Sequence, residues 1–166
     1  MTKHHDSFWR DLLANLREQR RHIHALMRLS QEQTLALAEA DVERLTQISR
    51  QQASHLDEID QLERRRKEIV HLLGNQMGLH AQPPTLTDCV QLAPENVART
   101  LRWLQQELLQ DVRRLQEMND RNRALIHQAA ETVHAWLAIV VNAAHAPADY
   151  ATTSAAPVAV IVDTEV

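Results

Sequence analysis

The segment "AEADVERL", residues 38–45, decides whether the first half of the chain is one long helix or two. No Pro or Gly occurs over residues 1–73, and on both sides of the segment apolar residues recur at helical spacing. The two patterns are out of phase, and Asp41 is a residue type that caps helix N-termini. We predict a first helix over about residues 7–38 and a second over about 41–73; one helix with a stutter is the alternative.

Both predicted helices have a heptad seam, and a third seam follows in the second half of the chain. The apolar seam residues are Trp9, Leu12, Leu16, Ile23, Leu26 and Leu37; then Leu45, Ile48, Ile59, Leu62, Ile69 and Leu73; then Leu101, Leu104, Leu108, Leu115, Met118, Leu125, Trp136 and Ile139. Other seam positions are polar: Gln19, Gln33, Gln52, His55, Arg66, Asp111, Asn122 and Thr132. Polar seam residues either fix the register of a bundle or indicate a loose bundle that holds an exchangeable helix.

Residues 74–96 hold both glycines and three of the five prolines, so we predict a connection there. Pro94 suits the first turn of a third helix, which we expect to run to His145. About 50 residues at 1.5 Å each make ~75 Å, so this helix is long for one compact domain. The prediction is an all-α fold: an elongated antiparallel bundle of three long helices, or a four-helix bundle if the third helix is broken.

Composition and charge exclude several classes of protein. The net charge of −4 and the pI of about 6.2 give no indication of nucleic-acid binding. Cys89 is the single cysteine, which fits a reducing compartment. The N-terminus has no apolar run typical of a signal peptide, and no stretch approaches the ~20 apolar residues of a membrane span. We therefore expect a soluble cytoplasmic protein without stable membrane insertion.

Two Glu-x-x-His motifs, Glu68–His71 and Glu131–His134, have the spacing of di-iron helical bundles. In the heptad frames all four residues point outward, and an antiparallel hairpin would separate the two motifs by ~55 Å. No phosphate-binding glycine loop, nucleophile elbow or zinc-ligand cluster is present in the sequence. We predict a protein that is not an enzyme, with no metal, no cofactor and no small-molecule substrate.

The third helix has a second stripe beside its seam, at positions 112, 119, 126, 133 and 140. Helices of ~32 residues cannot cover one of ~50, so part of residues 129–143 should project as an uncovered apolar face, which usually marks a protein partner. Asn119 and Asn122, in "LQEMNDRNRALI", lie within this face. They either fix register or offer hydrogen bonds to a bound segment. A structural coiled-coil scaffold that self-associates through the third helix would use the same face.

Two segments resemble the FlgN family of flagellar export chaperones. One is "ALMRLSQEQTLALAEADVERLTQISRQQASHLDEIDQLERRRKEIVHLLG", which is similar to the helical N-terminal half of the family. The other is "LQEMNDRNRALIHQAAETVHAWLAIV", whose Asn119, Asn122, Leu125 and Ile126 resemble the N-x-x-N-x-x-L-hydrophobic signature. The family often follows this with a Tyr and then a Gly; Tyr150 is present here, but the Gly is not. The likeness spans roughly residues 12–150.

The extent of the helical pattern predicts a helical chaperone domain over residues 1–146 and a flexible C-terminal tail over 147–166. The resemblance implies a cytoplasmic type III export chaperone. The implied partners are hook-associated proteins of the hook–filament junction, bound by their C-terminal segments, and the cytoplasmic domain of the export gate. Tyr150 is the implied gate contact. The residues implied to bind the substrate protein are Leu115, Met118, Asn119, Asn122, Leu125, Ile126, Val133, Trp136, Leu137 and Val140.

Overall fold

The computed structural model describes residues 2–76 and 85–145, and most residues in these ranges are helical. The helices are α1 (Thr2–Ala38), α2 (Val42–Gln76), α3 (Leu86–Leu92) and α4 (Glu95–His145), with no strand in the described ranges. The prediction of an all-α fold is confirmed. Contacts divide the chain into two units, Met1–His127 and Gln128–Val166.

The segment between α1 and α2 ends one helix and starts the next. Ala40 adopts a left-handed conformation (φ 53°), and the N–H of Asp41 donates to the carbonyl of Ala36 at 3.0 Å. The N–H of Ala40 donates to the carbonyl of Leu37 at 3.3 Å, which completes a Schellman motif. The Asp41 carboxylate then accepts from the N–H of Arg44 at 2.9 Å, as an N-cap does. Two helices are therefore present, and the single helix with a stutter is wrong.

Helix α2 runs antiparallel to α1. Near the start of α1, the Asn15 amide donates to the carbonyl of Leu62 at 2.9 Å. Near its end, Gln33 accepts from the side-chain amide of Gln52 at 3.5 Å. Residue numbers rise along α1 while their partners' numbers fall along α2, as a short turn between adjacent helices requires.

Helix α4 runs in the same direction as α1 within the first unit. The Arg20 guanidinium donates to Asp111 at 2.8 Å, and the Thr34 hydroxyl donates to Asn122 at 2.6 Å. Helix α1 thus packs against both other long helices in this unit.

The main hydrophobic core lies near the start of α1 and draws on all four helices. Its buried members are Trp9, Leu12 and Leu16 from α1, Ile69, Val70 and Leu73 from α2, Cys89 and Val90 from α3, and Ala98, Leu101 and Leu104 from α4. A smaller cluster of Leu29, Ala36 and Ile48 joins α1 to α2 near their connection. Burial of these side chains supplies the main driving force for association of the helices.

Helix α3 lies within residues 74–96, where a connection without a helix was predicted. The side chain of Thr85 accepts from the N–H of Asp88 at 3.2 Å, and the Asp88 carboxylate accepts from the N–H of Thr85 at 2.7 Å. This capping box was readable in the sequence as T-x-x-D before apolar residues. The carbonyl of Pro94 accepts the first α4 hydrogen bonds, so Pro94 precedes the helix by one residue.

Helix α4 is continuous over its 51 residues. The break that would have divided the predicted third helix is absent from the described residues, and the fourth helix is the short α3. The predicted tail, residues 147–166, lies outside the described residues.

The left-handed Ala40 predicts a stabilising substitution. Ala40→Gly removes the steric cost of a Cβ at positive φ and should raise the free energy of unfolding by about 1 kcal/mol. The matched control is Ala53→Gly at an exposed position within α2, which should lower it by about 0.5–1 kcal/mol because glycine weakens a helix interior. Urea denaturation followed by circular dichroism measures both. A destabilised Ala40→Gly variant would contradict this view of the turn.

Candidate functional site: the exposed apolar face of α4

The face of α4 that contacts α1 changes from buried to exposed immediately after Asn122. Leu104 and Asn122 are 1% and 2% exposed, whereas Leu125 and Ile126 are 40% and 47% exposed. Every residue from 123 to 142 is exposed. The change coincides with the end of α1, because Asn122 binds Thr34 and α1 ends four residues later, at Ala38.

In the second unit, the described side chains form an exposed amphipathic helix. Six large apolar residues described there are more than half exposed: Val133, Trp136, Leu137, Ile139, Val140 and Val141. An 18-residue window of α4 has a mean hydropathy of 1.3 and is 0% buried. By length and composition alone the helix could cross a membrane, a test that core helices of soluble proteins also pass. A search of the sequence for an unbroken apolar run does not detect this window, because polar residues interrupt its apolar ones.

The predicted substrate-binding residues fall into three environments. Leu115 and Met118 are partly buried, and Asn122 is buried. The exposed members are Asn119, Leu125, Ile126, Val133, Trp136, Leu137 and Val140. Tyr150 lies outside the described residues.

The Asn122 side chain is held entirely by α1. Its amide nitrogen lies 2.8 Å from the carbonyl oxygen of Ser30 and 3.1 Å from both Ser30 Oγ and Gln33 Oε1. Its carbonyl oxygen accepts from the Thr34 hydroxyl. A buried amide with donors and acceptors satisfied fixes the register of two helices. In this conformation Asn122 offers no polar group to a partner.

Asn119 has a different environment from Asn122. Its Oδ1 accepts from the Ser30 hydroxyl at 3.1 Å, yet the residue is exposed. Ser30 therefore links both asparagines to α1. The two asparagines look equivalent in the sequence, but Asn122 is buried between helices whereas Asn119 lies at the surface.

A second polar layer joins α1 to α4 about three turns before the Asn122 layer. The Asp111 carboxylate, 5% exposed, accepts from Arg20 Nε at 2.8 Å and lies 2.7 Å from His24 Nε2. Arg20 also pairs with Glu107 and lies over the ring of Trp103 at 5.2 Å. Burial alone would raise the pKa of Asp111, but the hydrogen bonds and positive charge of Arg20 and His24 outweigh it and lower the pKa.

Two grooves lie end to end above α1, between α2 and α4, and we call them together the trough. The first, of about 940 Å³, has Leu16, Gln19 and Ile23 of α1 as its floor and borders the start of α3. The second, of about 260 Å³, includes Leu26 and Gln33 of α1. The trough was not predicted from the sequence, because a heptad pattern does not show which seam residues lack a facing helix.

On the α4 side the trough is lined by the second stripe of that helix. Val112 lines the first groove, and Asn119 and Ile126 line the second. Leu109, which is 54% exposed, extends this wall. Four predicted site residues, Leu115, Asn119, Asn122 and Ile126, thus border the trough.

The Glu-x-x-His motifs are not assembled into a ligand set. Among the described residues, no group of three or more His, Cys, Asp or Glu side chains could hold a metal ion. Glu68, His71, Glu131 and His134 are exposed, as the heptad frames predicted.

Comparison with known families assigns the chain. The family model described as "FlgN protein" matches residues 9–153, which is most of the chain. The chain belongs to the FlgN family. This is a family of soluble, cytoplasmic flagellar export chaperones, not known as enzymes, so the chain has a general role in binding and exporting flagellar proteins. No curated protein and no solved structure matches the chain.

The two asparagines of this FlgN-family chain should respond differently to substitution. Asn122→Ala removes a buried amide together with its hydrogen bonds to Ser30, Gln33 and Thr34, and should lower the free energy of unfolding by about 1–3 kcal/mol. Asn119→Ala, at an exposed position, should change it by less than about 0.5 kcal/mol. Chemical denaturation measures both. Equal losses would contradict the assignment of the register function to Asn122.

The Asp111 layer predicts a loss of stability in acid. Because the pKa of Asp111 is lowered from its ordinary 3.8 in the folded state, the carboxylate stabilises the fold above that value. This contribution is lost as pH falls through the folded-state pKa, below 3.8. Asp111→Asn should therefore lower stability at neutral pH and flatten its decline below pH 3.8, whereas Asp120→Asn on the exposed surface should do neither. Thermal melts across pH test this, and an unchanged acid decline in Asp111→Asn would contradict it.

Proposed function

We propose that the protein is a cytoplasmic type III export chaperone that binds the C-terminal segments of hook-associated proteins from the hook–filament junction. It would then deliver them to the cytoplasmic domain of the export gate, with Tyr150 as a gate contact. Family membership supports the general role. The finer assignment of cargo and gate is the proposal.

The observation that carries the proposal is the exposed apolar face of α4. Beyond Asn122, α4 presents Leu125, Ile126, Trp136 and Leu137 to solvent, each at least 40% exposed. Exposed apolar area of this kind is costly in water and usually belongs to a binding surface. A helix in a groove, or along a second helix, is a common way to cover it.

The chemistry of such a face suits a chaperone that must release its cargo. An unfolded export substrate carries apolar segments that aggregate if they are left uncovered. A face of separated aliphatic side chains and one tryptophan binds such segments without a catalytic group or a cofactor. Since the face is mostly apolar, we expect binding to depend weakly on salt.

Within the proposed site, the residues divide by role. The exposed apolar residues, from Leu125 to Val140, would contact cargo directly. Leu115, Met118 and the exposed Asn119 would form its near edge. Asn122 would act indirectly, by holding α4 on α1 so that the residues after it stay uncovered.

We also propose that the three long helices form one antiparallel bundle.

A second candidate function uses the same exposed face. A structural coiled-coil protein would bury the face permanently against another copy. The polar seam residues, such as Asp111 and Asn122, are satisfied inside the first unit, so they give no reason for a permanent partner. A stable oligomer that no cargo peptide disperses would favour this candidate.

Titration calorimetry with peptides from the C-terminal ends of the junction proteins tests the proposed cargo. We expect micromolar or tighter binding to at least one peptide. Leu125→Asp or Ile126→Asp should weaken it at least ~10-fold, since each places a charge in an apolar interface.

The matched control is Ala124→Asp, which adds the same charge. Ala124 is next to Leu125 in the sequence, but its side chain lies on the side of α4 opposite Ile126. It should bind as the unaltered protein does, and circular dichroism should show that all three variants keep their helix content. If no junction peptide binds, or if Ala124→Asp weakens binding equally, the proposed cargo site is wrong.

A further inference from the structure

Two surfaces of the chain, the trough and the apolar side of the last part of α4, are complementary in shape and length. Among the described residues, no helix faces the trough over much of its length, and the large apolar side chains of α4 from Val133 to Val140 are more than half exposed. We propose that cargo-free copies form a two-fold dimer in which α4 of each copy, from residue 128 onward, lies in the trough of the other. The pairing is independent of which cargo the chaperone takes.

The lengths of the two surfaces agree. Along α4 the trough extends from Gln105 to Ile126, or ~33 Å at 1.5 Å per residue. The helical segment from residue 128 to His145 is ~27 Å long by the same measure. One segment therefore fits one trough.

The spacing of the second stripe supplies a register for the pairing. Its residues are seven apart and symmetric about Ile126. If two α4 helices pack antiparallel with the two-fold axis at Ile126, Val112 faces Val140 and Asn119 faces Val133 of the other copy. Residues 128–145 of one copy then face residues 107–124 of the other, a span that contains most of the α4 residues that line the trough. Antiparallel helices with a seven-residue apolar repeat pack in this way.

The charges of the two surfaces are compatible. In the first groove, Glu63 is paired with Arg66 at 2.7 Å and with Lys67 at 3.8 Å, and Glu68 balances the remaining positive charge. The segment from 128 to 145 contains one charged residue, Glu131. A nearly uncharged helix enters a groove of balanced charge without leaving an unpaired ion buried. A strongly acidic or basic helix would fit the first groove less well.

The dimer would give the chaperone a protected resting state. Ile126, Val133 and Val140 lie both in the proposed cargo site and in the proposed dimer contact, so cargo and the second copy would compete. Cargo binding should then convert the dimer into a complex with one chaperone chain. The apolar face would be covered both before and after cargo arrives.

Light scattering coupled to size exclusion, over a dilution series, tests the pairing. At high concentration the mass should be twice the 19.0 kDa of one chain, and it should fall on dilution. Leu109→Glu places a charge in the trough and should give the mass of one chain throughout. Gln110→Glu, at the adjacent exposed position outside the trough, should leave the dimer intact.

Leu109 lies outside the proposed cargo residues, so the same variants separate the two proposals. Leu109→Glu should keep peptide binding, or strengthen it, because it removes the competing copy. A chain of 19.0 kDa at every concentration overturns the dimer, whether or not peptides bind. A dimer that survives saturation with a bound peptide, or that Leu109→Glu does not disperse, overturns it also.

Cysteine cross-linking tests the register. Ile126→Cys, at the two-fold axis, should form a disulfide between two copies under mild oxidation. Gln128→Cys, two residues away on the opposite side of α4, should not. The unaltered protein controls for Cys89, which is 1% exposed. Cross-linking of Gln128→Cys in place of Ile126→Cys would overturn the register and with it the assignment of the trough.

Discussion

The structure depends on one mismatch: α4 has 51 residues, and α1, the helix on which it packs, has 37. Since both run in the same direction and Thr34 meets Asn122, α1 ends soon after that contact. In α4, apolar residues continue at helical spacing beyond the point where α1 ends. A helix whose apolar side outlasts its neighbour must present that side to solvent or to a partner. The candidate site is therefore a consequence of helix length and register, rather than of any special residue.

Register in turn depends on polar side chains at seam positions. Apolar heptads permit sliding by a whole repeat, because Leu-rich layers are nearly equivalent. The Asp111 layer with Arg20 and His24, and the Asn122 layer with Ser30 and Thr34, allow one alignment of α1 and α4. These layers cost desolvation but specify where the covered part of α4 ends. Of the two asparagines, the buried Asn122 fixes the register, and Asn119 lies at the surface.

The sequence was sufficient for much of this structure. Helical spacing and the Asp41 cap predicted two helices and their boundary, which the left-handed Ala40 completes. The lengths of the helices predicted an uncovered face over part of residues 129–143, and residues 129–142 are exposed. Helix α3 was missed although its capping box was legible. The different environments of Asn119 and Asn122, and the trough, could not be predicted, because they depend on which seam residues face a third helix. Tyr150 stays a prediction.

The central claim is that the apolar side of α4 beyond Asn122 binds cargo. Photo-cross-linking tests it most directly, with a benzophenone amino acid in place of Leu137 or, as the control, of the adjacent Ala138. The account predicts that the group at position 137 captures the C-terminal peptide of a junction protein. The group at position 138, which lies opposite Trp136 and Val140 on the helix, should not. Capture from position 138 alone, or from neither position at saturating peptide, would contradict the account.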